Sequence, residues 1–244
     1  MQPVNDPPAG GSPGKPVRKR ILRRERAYWE NHTRFEWLSQ TGIQSVLDLI
    51  PPVRGDVLEL CSGSGMFTRR IPATYHSYTC LDLSQTLLDH LNQSLPRIIP
   101  VQGNAERPGF PPDSFDTVLI FAGLHHVPNE DLAIQRSYPL LRPGGVFVAF
   151  EPNATCWYRS PMLKMRNLLN LYTDDERFLR PADIYTKMAV AGFREIEIKY
   201  CTPEYNPAHL GSRLNIFLST LMRYAAKLSI TPNWQSFFVI TGQK

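Results

Sequence analysis

The sequence has little cysteine and none of it clustered. Cys61, Cys80, Cys156 and Cys201 lie far apart, with no Cys-x-x-Cys pair and no Cys/His grouping. That argues against a zinc site or a disulfide framework and fits a reducing, cytoplasmic setting. No apolar run reaches the roughly 20 residues that a membrane-spanning helix needs. Residues 1–26, MQPVNDPPAGGSPGKPVRKRILRRER, lack the apolar stretch and small-residue cleavage site of a secretory signal. A soluble chain is expected. Acidic residues are scarce in the same segment: Lys15, Arg18, Lys19, Arg20, Arg23 and Arg24 have only Asp6 and Glu25 near them, so most of the net charge of +5 sits there. Such a run reads as a solvated Pro/Gly-rich tail over residues 1–17, or as a nuclear address or a contact for RNA or an anionic membrane. No aromatic interleaving or nucleic-acid motif accompanies it, which disfavours nucleic acid as a partner.

What the chain does have is enough apolar material for one sizeable domain: 244 residues, 42% of them hydrophobic. One domain over residues 18–244 is expected, opened by N-terminal helices within 18–50. Arg18–Gln40 reads as helical, with aromatics at Tyr28, Trp29, Phe35 and Trp37, and a second short helix, Ile43–Leu49, stops at Pro51-Pro52. Short apolar or β-branched runs follow at Val57–Cys61, Ser77–Leu83, Ile98–Gln102, Thr117–Phe121 and Gly145–Phe150. Between them lie helical patterns, one capped by Ser84 with Leu87, Leu88 and Leu91 on one face, another beginning at Asn129. Alternating strands and helices predict an α/β fold, a doubly wound and mostly parallel sheet with helices on both faces.

The segment GDVLELCSGSGMF, Gly55 to Phe67, places two glycines after the first strand. Gly63 and Gly65 allow a tight turn and a close approach to a ligand at the carboxyl end of the strand, with a helix expected from about Met66. A dinucleotide fingerprint would want a third small residue where Thr68 stands. The glycine loop alone is equally compatible with a bare strand-to-helix turn.

Its company is more telling. VLELCSGSGMF resembles motif I of the class I S-adenosylmethionine-dependent methyltransferases, and TCLDLS resembles their acidic second motif. QGNAERPGFPPDSFDTVLIFAGLHHV is similar to the third and fourth, LLRPGGVFVAFEPN to the strand-five motif, and AGFREIEI and WQSFFVITGQK to the last two strands. The resemblance implies a seven-stranded sheet whose final strand runs antiparallel, and S-adenosyl-L-methionine as cofactor. It places Glu59 near the methionine ammonium, Cys61, Gly63 and Gly65 in the loop, and Asp82 with Leu83 at the ribose. Asn104 and Ala105 fall beside the adenine, where relatives often carry an acid, and Phe121 and Ala122 lie against the methionine part. Asp82 also reads as a helix cap shared with Ser84.

Methyl transfer is an in-line displacement, so much of the catalysis is positioning, with a base needed only if the acceptor must lose a proton. His125 and His126 after strand four and Glu151 after strand five are the candidates, each with an alternative role in fixing its loop. No metal is expected. Two insertions, residues 154–180 and 203–232, are expected to form a helical lid over the acceptor, with Trp157, Tyr172, His209 and Phe217 as substrate contacts and Tyr28 and Trp29 closing the other side. In the second insertion Leu214, Phe217, Leu218, Leu221, Ala225 and Leu228 share one helical face, which suits a core, a lid or a membrane surface.

The expected activity is methyl transfer to a small, apolar or aromatic organic acceptor, with oxygen favoured over nitrogen or carbon. The alternatives are a lipid- or RNA-directed methyltransferase, a nicotinamide oxidoreductase, and a non-catalytic scaffold of the same fold.

Overall fold

The structure, a computed structural model of the chain, describes residues 36–158, 179–210, 213–228 and 231–244. Seven strands form one sheet: β1 (Gly55–Leu60), β2 (Tyr75–Asp82), β3 (Ile99–Gln102), β4 (Phe115–Phe121), β5 (Leu141–Pro152), β6 (Arg194–Cys201) and β7 (Phe237–Gln243). Their spatial order is β3-β2-β1-β4-β5-β7-β6. The neighbours from β3 to β5 pair in parallel, whereas β7 runs antiparallel to both β5 and β6. The sheet is therefore mixed, with β6 pointing the same way as β1–β5.

The central strands are near-continuous apolar runs because both faces are covered. Along β1 and β4, Leu58, Leu60, Val118 and Ile120 face one layer, which holds α3 (Glu130–Leu140) and α4 (Pro181–Ala191) through Ile134, Ile184 and Met188. Val57, Leu119, Phe121 and, from β2, Tyr78 face the other, which holds α1 (Gln40–Leu47) and α2 (Gln85–Ser94) through Ile43, Val46, Leu88 and Leu91. Side-chain hydroxyl and amide oxygens open the first three of these helices: Ser39 caps α1 and accepts from the Gly42 N–H, Ser84 caps α2, and Asn129 caps α3.

Two local expectations fail. The residues after Gly65 form no α-helix: the chain turns and makes a single 3-10 turn at Thr68–Arg70. Pro72 stands just beyond it, and β2 begins at Tyr75, which leaves no length for more. The end of the expected Arg18–Gln40 helix is extended instead. Leu38 bridges to Tyr205, the Trp37 carbonyl accepts the Asn206 N–H at 2.9 Å, and a helix starts only at Gln40. Residues 18–35 lie outside the described residues, as do Tyr28 and Trp29. The second insertion contains a short helical turn, Pro207–Leu210, and α5 (Arg213–Leu228). No helix among the described residues is long and apolar enough to cross a membrane.

Candidate active site

The winding of the sheet reverses between β1 and β4, and the crevice at the carboxyl ends of such strands is the favoured ligand site of an open α/β sheet. A cleft enclosing about 960 Å³, open mouth included, lies there. Its floor is the turn after β1, and its sides come from the ends of β2 and β4 and from residues 103–105. Cys61 and Ala122, at the tips of β1 and β4, hold left-handed backbone conformations with φ of 55° and 50°. This costs L-residues energy and is kept only where the surroundings impose it.

Both glycines of the loop are required, for different reasons. A Cβ on Gly65 would sit 2.3 Å from Leu91 Cδ1, so this glycine lets the turn close against α2. Gly63 has φ of +53° and open space where a side chain would project, which leaves the cleft floor clear. Gly65 itself does not line the cleft.

Two carboxylates face the cleft. Glu59 is buried, and its Oε2 accepts the Thr68 and Tyr78 hydroxyls, each at 2.7 Å. Burial outweighs those bonds and pushes its carboxyl up to about 7. Thr68, which breaks the dinucleotide fingerprint, thus orients Glu59 together with Tyr78. Asp82 accepts the Gly63 N–H on Oδ2 and the Ser84 N–H on Oδ1, both at 2.9 Å, and burial raises its carboxyl against those bonds. It therefore ties the glycine loop to the start of α2 and still has acceptor capacity towards the cleft.

Asn104 is locally engaged as well: its Oδ1 accepts the Glu106 N–H at 2.9 Å and its Nδ2 donates to Glu106 Oε2 at 3.2 Å. It lines the cleft beside Ala105 and Leu83, as Cys61, Phe121 and Ala122 do on the other wall. Phe121 stacks on Phe67, with ring centroids 4.4 Å apart.

The three candidate catalytic residues separate. His126 lines the cleft. Its ring packs at 4.0 Å on that of His125, which is buried and does not line it. Glu151 is also buried, behind the wall. Its carboxylate accepts the Gly123 and Leu124 N–H groups at 3.1 and 2.7 Å, the His125 N–H at 3.4 Å and the His125 ring Nδ1 at 2.6 Å. Glu151 and His125 thus fix the loop that carries His126.

Of the substrate candidates, the two whose side chains are described, Trp157 and Phe217, do not line the cleft. Trp157 is half exposed and packs against Trp234, and Phe217 is 63% exposed on α5. Tyr172 and the His209 side chain lie outside the described residues. Conversely, Trp37 lines the cleft, stacked on Phe237 at 5.3 Å and beside Tyr205 at 5.9 Å. Its place depends on a contact with a segment more than 160 residues away, which no local pattern signals. Among the described residues no group of three His, Cys, Asp or Glu side chains could hold a metal ion.

The donor set decides between cofactors. Among the described residues no lysine or arginine lines the cleft, the charged groups there are Glu59 and Asp82, and no α-helix N-terminus follows the glycine loop to receive a phosphate. A pyrophosphate would face two carboxylates, whereas a nucleoside carrying positive charge and no phosphate fits. A protein-family model described as "Methyltransferase domain" matches residues 58–149, which include most of these walls. Over that stretch the chain is similar to the methyltransferase domain family.

Among curated relatives, a ubiquinone/menaquinone biosynthesis C-methyltransferase of Bradyrhizobium sp. is 30% identical over 120 residues, 43% of this chain and 47% of the relative. The polyketide synthase component of compactin nonaketide synthase from Penicillium citrinum is 26% identical over 147 residues, 53% of this chain and 5% of that protein. The chain therefore spans about half the length of the first relative and a small part of the second. Two solved structures share the fold. An S-adenosylmethionine-dependent methyltransferase from Mesorhizobium loti has a TM-score of 0.60 at 20% identity, covering 82% of this chain and 96% of its own. Phosphoethanolamine N-methyltransferase 2 of Haemonchus contortus, in complex with S-adenosyl-L-methionine, has a TM-score of 0.59 at 15% identity, covering 93% and 57%.

Proposed function

We propose that this domain transfers a methyl group from S-adenosylmethionine to a small, apolar organic acceptor, with oxygen as the receiving atom. The observation that carries the reading is a cleft whose charged groups, among the described residues, are two carboxylates, with an imidazole on the facing loop. The cofactor supplies a methyl group already activated by its positive sulfur. What is left to the protein is holding, orienting and excluding water. Glu59 takes the ammonium end, Asp82 the ribose hydroxyls, and Asn104 and Ala105 the adenine, while Cys61, Gly63 and Ala122 let the backbone approach closely. His126 would accept the proton that an acceptor hydroxyl gives up as its oxygen takes the methyl carbon, whose bond to sulfur breaks and leaves S-adenosylhomocysteine. His125 and Glu151 are positioning residues behind it.

Trp37 gives the acceptor side an aromatic wall. Tyr28, Trp29 and Tyr172 remain proposed acceptor contacts from the two flanking segments, and residues 1–17 remain a proposed tail. A second reading, transfer to carbon, is favoured by the C-methyltransferase named among the relatives. Incubation with carbon-13 methyl-labelled S-adenosylmethionine and a panel of phenols and quinols, read by NMR of the products, separates the two: the methyl signal of a methoxy group supports oxygen, that of a ring methyl supports carbon. Absence of binding in a calorimetric titration with S-adenosylmethionine and S-adenosylhomocysteine would leave a non-catalytic scaffold.

A further inference from the structure

Helix α5 is turned opposite to the usual sense of an amphipathic helix on a soluble domain. Phe217, Leu221, Tyr224 and Leu228, at i, i+4, i+7 and i+11, form one stripe, and they are 63%, 48%, 57% and 88% exposed. Leu218 lies beside the stripe, 42% exposed. The face against the body carries Ile216, Ser219, Thr220, Arg223 and Ala226, and is held there. Ala226 is buried and its carbonyl accepts from Gln235 Nε2 at 2.8 Å, while Arg223 Nη1 donates to Glu204 Oε2 at 2.7 Å. The outward row of large apolar side chains is therefore fixed by bonds on the opposite face.

The charges on the same helix all have one sign. Arg213, Arg223 and Lys227 are present with no Asp or Glu between 213 and 228. Arg213 and Lys227 are exposed, and the cations of Arg223 and Lys227 lie 5.7 and 5.9 Å from the Tyr224 ring, along one border of the stripe. An outward apolar stripe, an aromatic ring with a polar tip and cations at its border are the chemistry of a helix lying in the headgroup layer of an anionic bilayer. Arg223 is already paired with Glu204, but a neutral apolar partner would leave the exposed Arg213 and Lys227 without counter-charge.

Position gives the arrangement a purpose. Because β6 points the same way as β1–β5, its carboxyl end emerges on the cleft edge of the sheet, and the segment that follows it puts Tyr205 against Trp37 of the cleft wall. We propose that α5 docks this edge of the domain on an anionic lipid bilayer. The docking itself stands apart from the methyl-transfer reading. Its consequence, that the cleft takes its acceptor from the lipid phase, rests on that reading.

The test is co-sedimentation of the full chain with sucrose-loaded vesicles of phosphatidylcholine alone or mixed with phosphatidylglycerol. The expected result is binding to the mixed vesicles that weakens with salt, and at least a tenfold lower partition for Leu221→Asp/Leu228→Asp at unchanged melting temperature and S-adenosylmethionine affinity. Leu228→Asp alone, in the last turn of the helix, should lose several-fold and covers the case in which the double variant fails to fold. The basic residues between 15 and 24 are the same in every protein compared. Equal binding by wild type and variants would assign the attraction to that segment and overturn the proposal. No binding by the wild type overturns it too, and a dimer in sedimentation velocity that Leu228→Asp breaks would make a second copy the occupant.

Discussion

Glu59 is a carboxyl group placed where its charge is expensive until a cation arrives. Its ordinary value of 4.5 is pushed up to about 7 by burial, against the Tyr78 and Thr68 hydroxyls that favour the charged form. The folded protein therefore holds this proton more tightly than the unfolded chain does. That contribution to stability is complete below pH 4.5 and is lost as the pH rises through 7, a span worth on the order of 3 kcal/mol. Glu59→Gln, which keeps an acceptor for both hydroxyls, should raise the melting temperature of the ligand-free protein at pH 8 by several degrees. S-adenosylmethionine affinity should rise from pH 6 towards 7 as Glu59 ionises. It should fall again as the ligand's own α-amino group, ordinarily near 7.7–8.0, loses its proton. Calorimetry across this range should find the rise missing in Glu59→Gln. Asp82→Ala should weaken cofactor binding roughly tenfold or more, about 1.4 kcal/mol or above, as expected for a lost charged acceptor; unchanged affinity would remove it from the ribose. His126→Gln should lower kcat with cofactor affinity intact, and normal turnover would return it to a packing role.

At the scale of elements, the loop after β4 is held from behind by β5. Glu151→Ala would leave the Gly123, Leu124 and His125 N–H groups and the His125 ring without their acceptor in a buried place, and should cost roughly 3 kcal/mol or more in urea unfolding. Loss of activity at undiminished stability would instead point to direct chemistry. Much at this scale is legible in the sequence. The five strands from Val57 to Phe150 and the Ser84 and Asn129 caps stand close to where alternation and capping place them, because each depends on residues within a few positions. The glycine loop, Asp82, Asn104 and His126 converge on one cleft for the same local reason, each standing at or just beyond a strand end. What sequence does not reveal is the state of neighbours. Glu151 reads as a cleft residue until its four donors are seen, Trp37 reads as helical until Leu38 meets Tyr205, and the α5 pattern shows a stripe without saying which way it faces.

At the scale of the whole molecule, the order of the strands in space differs from their order in the chain, and β7 lies between β5 and β6. It contributes Phe237, Phe238, Val239 and Ile240 to both core layers. A chain truncated before Phe237 should remain in the pellet after expression, since it exposes two unpaired strand edges and both apolar layers beside them. The mixed pairing also bears on biosynthesis. A ribosome delivers β6 before the strand that must seat it, so β6 waits without a partner while the second insertion is made. During that interval β5 is an open edge, where a foreign strand could pair until β7 enters the gap.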